Sequence, residues 1–265
     1  MTRLLTDKMI ARKEGAIGWI TFNNPARHNA VSMAMWEGLH EIVSDFAQDE
    51  AIRVIVVKGA GEKAFVSGAD ISEFEEKRSS PKTTKVYNET GQKATLALKH
   101  VNKPTIAMIR GYCVGGGVSI ALACDMRLAA EGSTFAVPAA KLGLGYEMEG
   151  VRKLVDVVGP AFAREIFYTA RQFTGPEALA MGLINRLVPA DRLESYVRDY
   201  AASIAANAPL TVASIKTLVA QALKDESERD MRLCQDVVDR CFNSADYAEG
   251  RQAFMEKRKP QFVGR

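Results

Sequence analysis

The sequence predicts an α/β fold with largely parallel strands, followed by an all-helical tail. Three observations carry this reading. Short apolar runs alternate with segments of helical apolar spacing through residues 1–190, the pattern of repeated strand–helix units. Two glycine-bearing turns interrupt that alternation, at Gly68 and at Gly115-Gly116-Gly117. From Asp191 onward the periodicity is helical throughout. The expected organisation is therefore a core over 1–190 that binds the ligand and a helical region over 191–265 that packs on a partner subunit.

The elements follow in order. Residues 8–13 and 16–22 read as paired strands about a turn at Glu14-Gly15, with Ile17 and Trp19 on one face and Ile20 and Phe22 on the other. Residues 23–29 form a polar loop containing Pro25. Ser32 is placed to cap a helix whose apolar positions are Met35, Trp36, Leu39, Ile42, Val43 and Phe46. A buried strand is expected at 53–58, a loop at 59–68 and a helix at 83–101, stopped by Asn102-Lys103-Pro104. Then come a strand at 105–109, a helix from about Gly116, a strand near 126–129, and helices near 149–157, 161–169 and 176–181. A last strand falls at 184–188.

Bulk properties exclude several classes of protein. Of 265 residues, 47% are hydrophobic and 25% charged, so a packed core is expected and disorder is not. With 35 basic and 32 acidic residues the net charge is +3, too balanced to suggest a nucleic-acid partner. No apolar run approaches the roughly 18 residues of a membrane span, and the start MTRLLTDKMI lacks the apolar stretch of a signal peptide. Cys113, Cys124, Cys234 and Cys241 form no Cys-x-x-Cys pair and read as free thiols, in keeping with a cytoplasmic setting. His28, His40 and His100 have no metal-ligand spacing, so no metal is expected.

The two glycine sites carry the candidate chemistry. In Phe65-Val66-Ser67-Gly68-Ala69-Asp70-Ile71-Ser72-Glu73, Asp70 and Glu73 read as a capping box that starts a helix at Ile71, leaving the Ala69 N–H free to point outward. In Gly111-Tyr-Cys-Val-Gly-Gly-Gly117 a strand gives way to a helix whose first N–H groups are unpaired. Two such donors, if they converge, make an oxyanion hole; a plain tight turn is the competing reading. The dinucleotide fingerprint fails because Ile120 stands where its third glycine belongs, and no Gly-Lys-Ser/Thr phosphate loop is present. Gly117-Val-Ser119-Ile-Ala121 approximates a nucleophile elbow, but all three histidines precede Ser119, against the order such hydrolases use.

Taken together, the motifs resemble the enoyl-CoA hydratase/isomerase family, the crotonases. The matching pieces run in order along the chain: Asn24-Pro25-x-x-x-Asn29-Ala30, Phe65-x-Ser67-Gly68-Ala69-Asp70, Lys103-Pro104-x-Ile106-Ala107, the glycine triplet, Ala123-Cys-Asp125 and Lys141-Leu-Gly143. They continue with Thr174-Gly-x-Glu177-Ala178, Gly182-Leu-Ile-Asn185 and Phe254-x-x-Lys257-Arg-Lys259-Pro-x-Phe262. The resemblance implies a spiral of ββα turns followed by a helical trimerisation region, assembled as a homotrimer or hexamer. It implies an acyl-coenzyme A substrate with no separate cofactor, coenzyme A being part of the substrate. It assigns the oxyanion donors to Ala69 and Gly116 and places coenzyme A along Ala26, Arg27, His28, Val66, Ser67 and Ile71. Phe254 and Lys257 match tail residues that reach a neighbour's coenzyme A; a solvated helix face is the plain reading of Lys257.

One departure matters for the chemistry. Hydratases of this family carry two glutamates, and the corresponding positions here are Ser119 and Ala139. Hydration needs a base for water and an acid for the α-carbon; Ala139 supplies neither, and Ser119 cannot act as a base without a helper. The stretch from Leu142 to Gly150, with Asp246-Tyr-x-Glu-Gly250 and the tail, looks like the methylmalonyl-CoA decarboxylase branch, in which a tyrosine at the position of Tyr146 faces the acyl group. That branch has histidine where this chain has Ala69 and glutamate where it has Ser119. Decarboxylation needs no base, since loss of carbon dioxide itself generates the enolate. Glu147 and Glu149 are alternative acid/base candidates, and solvation at a helix start is their plain reading. The expected activity is a lyase reaction through an enolate, decarboxylase-like or a divergent hydration. A coenzyme A-binding protein with little catalysis, acting in protein or RNA interactions, is the alternative.

Overall fold

Gly15, at φ 56°, turns β1 (Met9–Glu14) back onto β2 (Ile17–Phe22), and the two pair antiparallel with Met9 opposite Phe22. The structure is a computed structural model and describes residues 6–70 and 81–265. β2 then pairs in parallel with β3 (Val54–Gly59), and the sheet continues in parallel through β5 (Thr105–Ile109), β7 (Met126–Ala130) and β10 (Arg186–Val188). Its order is β1-β2-β3-β5-β7-β10. Side chains alternate across it as a pleated strand requires. Ile20, Phe22, Ile55 and Val57 enter one core, while Ile17, Trp19, Val54 and Val56 enter the other.

A second sheet interleaves with the first. Its order is β4 (Ala64–Val66), β6 (Tyr112–Val114), β8 (Thr134–Ala136) and β9 (Phe173–Thr174), parallel except for β9. Each spiral turn thus gives one strand to each sheet: β3 and β4, β5 and β6, β7 and β8. This corrects the expectation of a loop at 59–68, since β4 lies inside it. These strands are two or three residues long, too short for any alternation to appear in the sequence.

The helices follow from their caps and faces. Ser32 accepts the Met35 N–H at 3.3 Å and starts α1 (Met33–Gln48), whose Met35, Trp36, Leu39, Ile42, Val43 and Phe46 are all buried. α2 (Pro81–His100) packs on it. α3 (Gly116–Ala123) follows the glycine turn. The expected helices at 149–157 and 161–169 are the two halves of α4 (Met148–Thr169), broken where Gly159 sits at φ 72° before Pro160. α5 (Gly175–Ala180) carries the Thr174/Glu177 capping box in full.

The tail comprises α6 (Leu193–Ala205), α7 (Pro209–Ala222), α8 (Met231–Phe242) and α9 (Ala245–Met255). α6 buries Leu193, Val197, Ala201 and Ala205 against the second face of the large sheet. Asp246, 2% exposed, accepts the Val263 and Gly264 N–H groups at 2.7 and 2.9 Å and pins the chain end. Arg258 holds Glu249 through its two terminal guanidinium nitrogens, at 2.6 and 2.9 Å. The tail motifs that suggest the decarboxylase branch therefore have a structural role of their own. Among the described residues no single helix is long and apolar enough to cross a membrane.

Candidate active site

Three buried polar contacts bring the first glycine site into place. Asn29 is fully buried; its Oδ1 accepts the Asn24 N–H at 2.9 Å, and its Nδ2 donates to the carbonyls of Ala60 and Ala64 at 2.9 and 2.8 Å. Gly59 must lack a side chain, because a Cβ there would stand 2.3 Å from the Phe65 carbonyl oxygen. Val31 then donates to Gly68 O at 2.8 Å and accepts from Asp70 N at 2.9 Å. Both bonds lie on one side of the strand, so the intervening Ala69 N–H points away from Val31.

The second glycine site is packed against the first. Gly117 lies so close to β4 that a Cβ would meet Val66 O at 2.1 Å. Gly115 adopts φ 53° and donates to Ala136 O at 2.8 Å, which aims the start of α3 at the Gly68 turn. A Cβ on Gly116 would stand 3.7 Å from the Gly68 carbonyl carbon. Neither the Ala69 nor the Gly116 N–H donates to another group among the described residues.

Ala69, Gly116 and Tyr146 line one cavity of about 500 Å³. Its walls come from α1 (Trp36), from α2 (Tyr87, Asn88, Gln92, Thr95), from the two glycine turns and from the segment 137–153. Ser119 and Ala139 open onto it, so the positions where hydratases of the family carry glutamates do face the cavity. The Tyr146 ring, 38% exposed, packs edge-on against Phe167 at 4.9 Å. Glu147 accepts from Asn88 Nδ2 at 3.3 Å. Glu149 lies 3.6 Å from Lys153 Nζ and 4.0 Å from Lys99 Nζ. Lys153 is a lining residue that the motifs did not single out; it is 6% exposed, and burial pushes its ammonium below the usual lysine range, against the opposing pull of Glu149. The one signal for it in the sequence is its spacing of four from Glu149.

The thiols nearest the glycine triplet are not nucleophiles. Cys113 and Cys124 are fully buried, and burial pushes both upward, Cys124 to about 12. Among the described residues no group of three or more His, Cys, Asp or Glu side chains is placed to hold a metal ion.

The remaining expected residues fall into three places. Ala26, Arg27 and His28 are exposed on the short 3-10 turn beside the first glycine site. Ser67 N donates to His28 O at 3.1 Å, which joins that turn to Val66 and Ser67. The Val66 side chain is fully buried and offers a ligand only its backbone. Arg27 pairs with Asp70 at 3.0 Å, a bond that ties the turn to the segment carrying Gly68 and Ala69. Ile71 and Glu73, the residue expected to complete a capping box with Asp70, lie outside the described residues. Phe254, 84% exposed, and Lys257 sit at the end of α9 and do not line the cavity of their own chain.

The chain is similar to known proteins over nearly all of its length. The family model for Enoyl-CoA hydratase/isomerase matches residues 12–265. A short-chain-enoyl-CoA hydratase from Clostridium acetobutylicum is 30% identical over 96% of each chain. A carnitinyl-CoA dehydratase from Proteus mirabilis is 33% identical over 95% of this chain and 96% of that one. The crystal structure of an enoyl-CoA hydratase/carnithine racemase from Magnetospirillum magneticum superposes with a TM-score of 0.92 at 37% identity, covering 98% of this chain and 97% of that one.

Proposed function

The chain belongs to the enoyl-CoA hydratase/isomerase family, and on that premise we propose that it is a lyase that decarboxylates a malonyl-type acyl-coenzyme A thioester through an enolate. One observation carries the reading. The two candidate oxyanion donors, Ala69 and Gly116, are in place on one cavity wall, while the carboxylate positions of a hydratase are Ser119 and Ala139. Backbone donors fixed in a largely apolar cavity stabilise charge on a thioester oxygen without reorganising. The bond from the α-carbon to its carboxylate breaks, carbon dioxide leaves, and the electron pair passes into the enolate. A proton from the Tyr146 hydroxyl or from water then completes the α-carbon. No step in this sequence needs a carboxylate base at the two positions where this cavity has Ser119 and Ala139.

Coenzyme A lies along Ala26, Arg27, His28, Ser67 and the Val66 backbone, with Phe254 and Lys257 of a neighbouring subunit closing over it. A homotrimer or hexamer is the matching assembly. It is supported by the apolar side chains that α7–α9 leave in solvent, among them Ile215, Val219 and Met255. A coenzyme A-binding protein without turnover is the second reading, favoured by the same two replacements. Turnover of a panel of malonyl- and enoyl-type thioesters separates the readings. Release of carbon dioxide from the malonyl type is expected, with enoyl hydration absent. Binding of every thioester with no turnover would favour the second reading, and hydration in preference to decarboxylation would overturn the first.

A further inference from the structure

Lys153 is chemically out of place unless something completes it. Lys153 is one of the buried residues of α4, beside Leu154 in the chain, so its long side chain does not run out to water, and it is 6% exposed. Its ammonium has three N–H donors. The described partners are Thr95 Oγ1 at 3.5 Å and Glu149 Oε1 at 3.6 Å. Both distances exceed the usual 2.7–3.2 Å or so of an N–H···O bond. Thr95 is itself 2% exposed, and its hydroxyl is turned to the Gly91 and Gln92 carbonyls at 3.0 and 3.1 Å, so only its lone pairs face the ammonium. A buried cation held this loosely is unfavourable on its own and becomes favourable when an anion closes on it.

The surroundings indicate where that anion comes from. Lys153 lines the main cavity together with Ser119, Val137, Tyr146 and Gly150, and these five residues also wall a smaller pocket of about 20 Å³ behind it. With Ser119 and Ala139 in place of carboxylates, the acidic side chains among the described lining residues of the cavity are Glu147 and Glu149. Glu149 is at the rim, 35% exposed, and Glu147 is exposed. Resting on the reading of this cavity as an acyl-thioester site, we propose that Lys153 is a specificity-determining residue that receives a carboxylate carried by the acyl group, so that the protein selects dicarboxylic over simple fatty acyl thioesters.

The test compares matched ligands that differ by one charge. Malonyl-, succinyl- and glutaryl-coenzyme A are each set against the methyl ester of the same acyl group, with affinity measured by competition against coenzyme A. The intact protein is expected to favour at least one free acid by about 10–100-fold, the usual worth of a charge-assisted hydrogen bond. Lys153→Met is expected to erase that preference while leaving affinity for the esters in place. Equal binding of acid and ester in all three pairs by the intact protein would overturn the proposal, whether or not the variant folds. A preference that survives Lys153→Met would overturn it as well. If no thioester of any kind binds, the acyl-thioester reading fails and takes this inference with it, whereas ester binding without discrimination removes the inference alone.

Discussion

The large and small sheets are built from the same turns of chain, yet they are held together in different ways. The six-stranded sheet is fixed by side chains: Val54 and Val56 fill one face, Ile55 and Val57 the other, and helices cover both. The small sheet is fixed by backbone approach. Gly59, Gly111 and Gly117 each leave room for a carbonyl oxygen that a Cβ would meet at 2.3, 2.0 and 2.1 Å, and Asn29 satisfies two further carbonyls. The small sheet carries both candidate oxyanion donors at its ends. Side-chain packing tolerates change by relaxing, whereas backbone packing at these distances cannot relax without moving the donors.

This difference predicts opposite responses to the same kind of lesion. Gly117→Ala should have the largest effect. The added methyl drives α3 away from Val66, and loss of turnover on the order of 10³-fold or more is expected, because both donors are displaced. An overpacking penalty of about 1–3 kcal/mol or more accompanies it. Ile106→Ala in the large sheet should instead cost about 2–5 kcal/mol of stability, with kcat/KM of the folded protein unchanged. Urea unfolding and steady-state kinetics on both variants check the contrast, and it breaks if Gly117→Ala remains active or Ile106→Ala loses activity while folded.

Tyr146→Phe sharpens the comparison from the opposite wall. It removes one hydroxyl and touches neither sheet, so stability should hold. Turnover should fall roughly 10–10³-fold, in the range of a positioned donor or acid, with coenzyme A affinity nearly unchanged. Full activity in Tyr146→Phe would confine the chemistry to the backbone donors.

The same contrast explains what the sequence made legible. Side-chain-built elements announce themselves: the faces of β2, the six apolar positions and cap of α1, and the break in α4 before Pro160 all follow from residue types at fixed spacing. The small sheet has no such signature, because strands of two or three residues show no period and their order is set by backbone contacts across the spiral. The glycine turns were visible as turns, since a triplet after a strand permits close approach of the backbone. Their mutual contact through Gly68 and Gly116 was not, because it depends on Asn29 and Val31 some 40 residues away in sequence. Lys153 was hidden for a related reason. Only the fold turns that side of α4 toward Thr95 instead of toward water.

The central claim is that backbone donors of the small sheet, with no carboxylate, hold the reacting oxygen. A crystal structure of the protein with acetyl-coenzyme A tests it most directly. The account predicts the thioester oxygen about 2.7–3.1 Å from both the Ala69 and the Gly116 nitrogen, the spacing of an oxyanion hole, with Lys153 beyond the acyl carbon. A thioester oxygen bound elsewhere in the cavity, or turned toward Glu147 or Glu149, would contradict it.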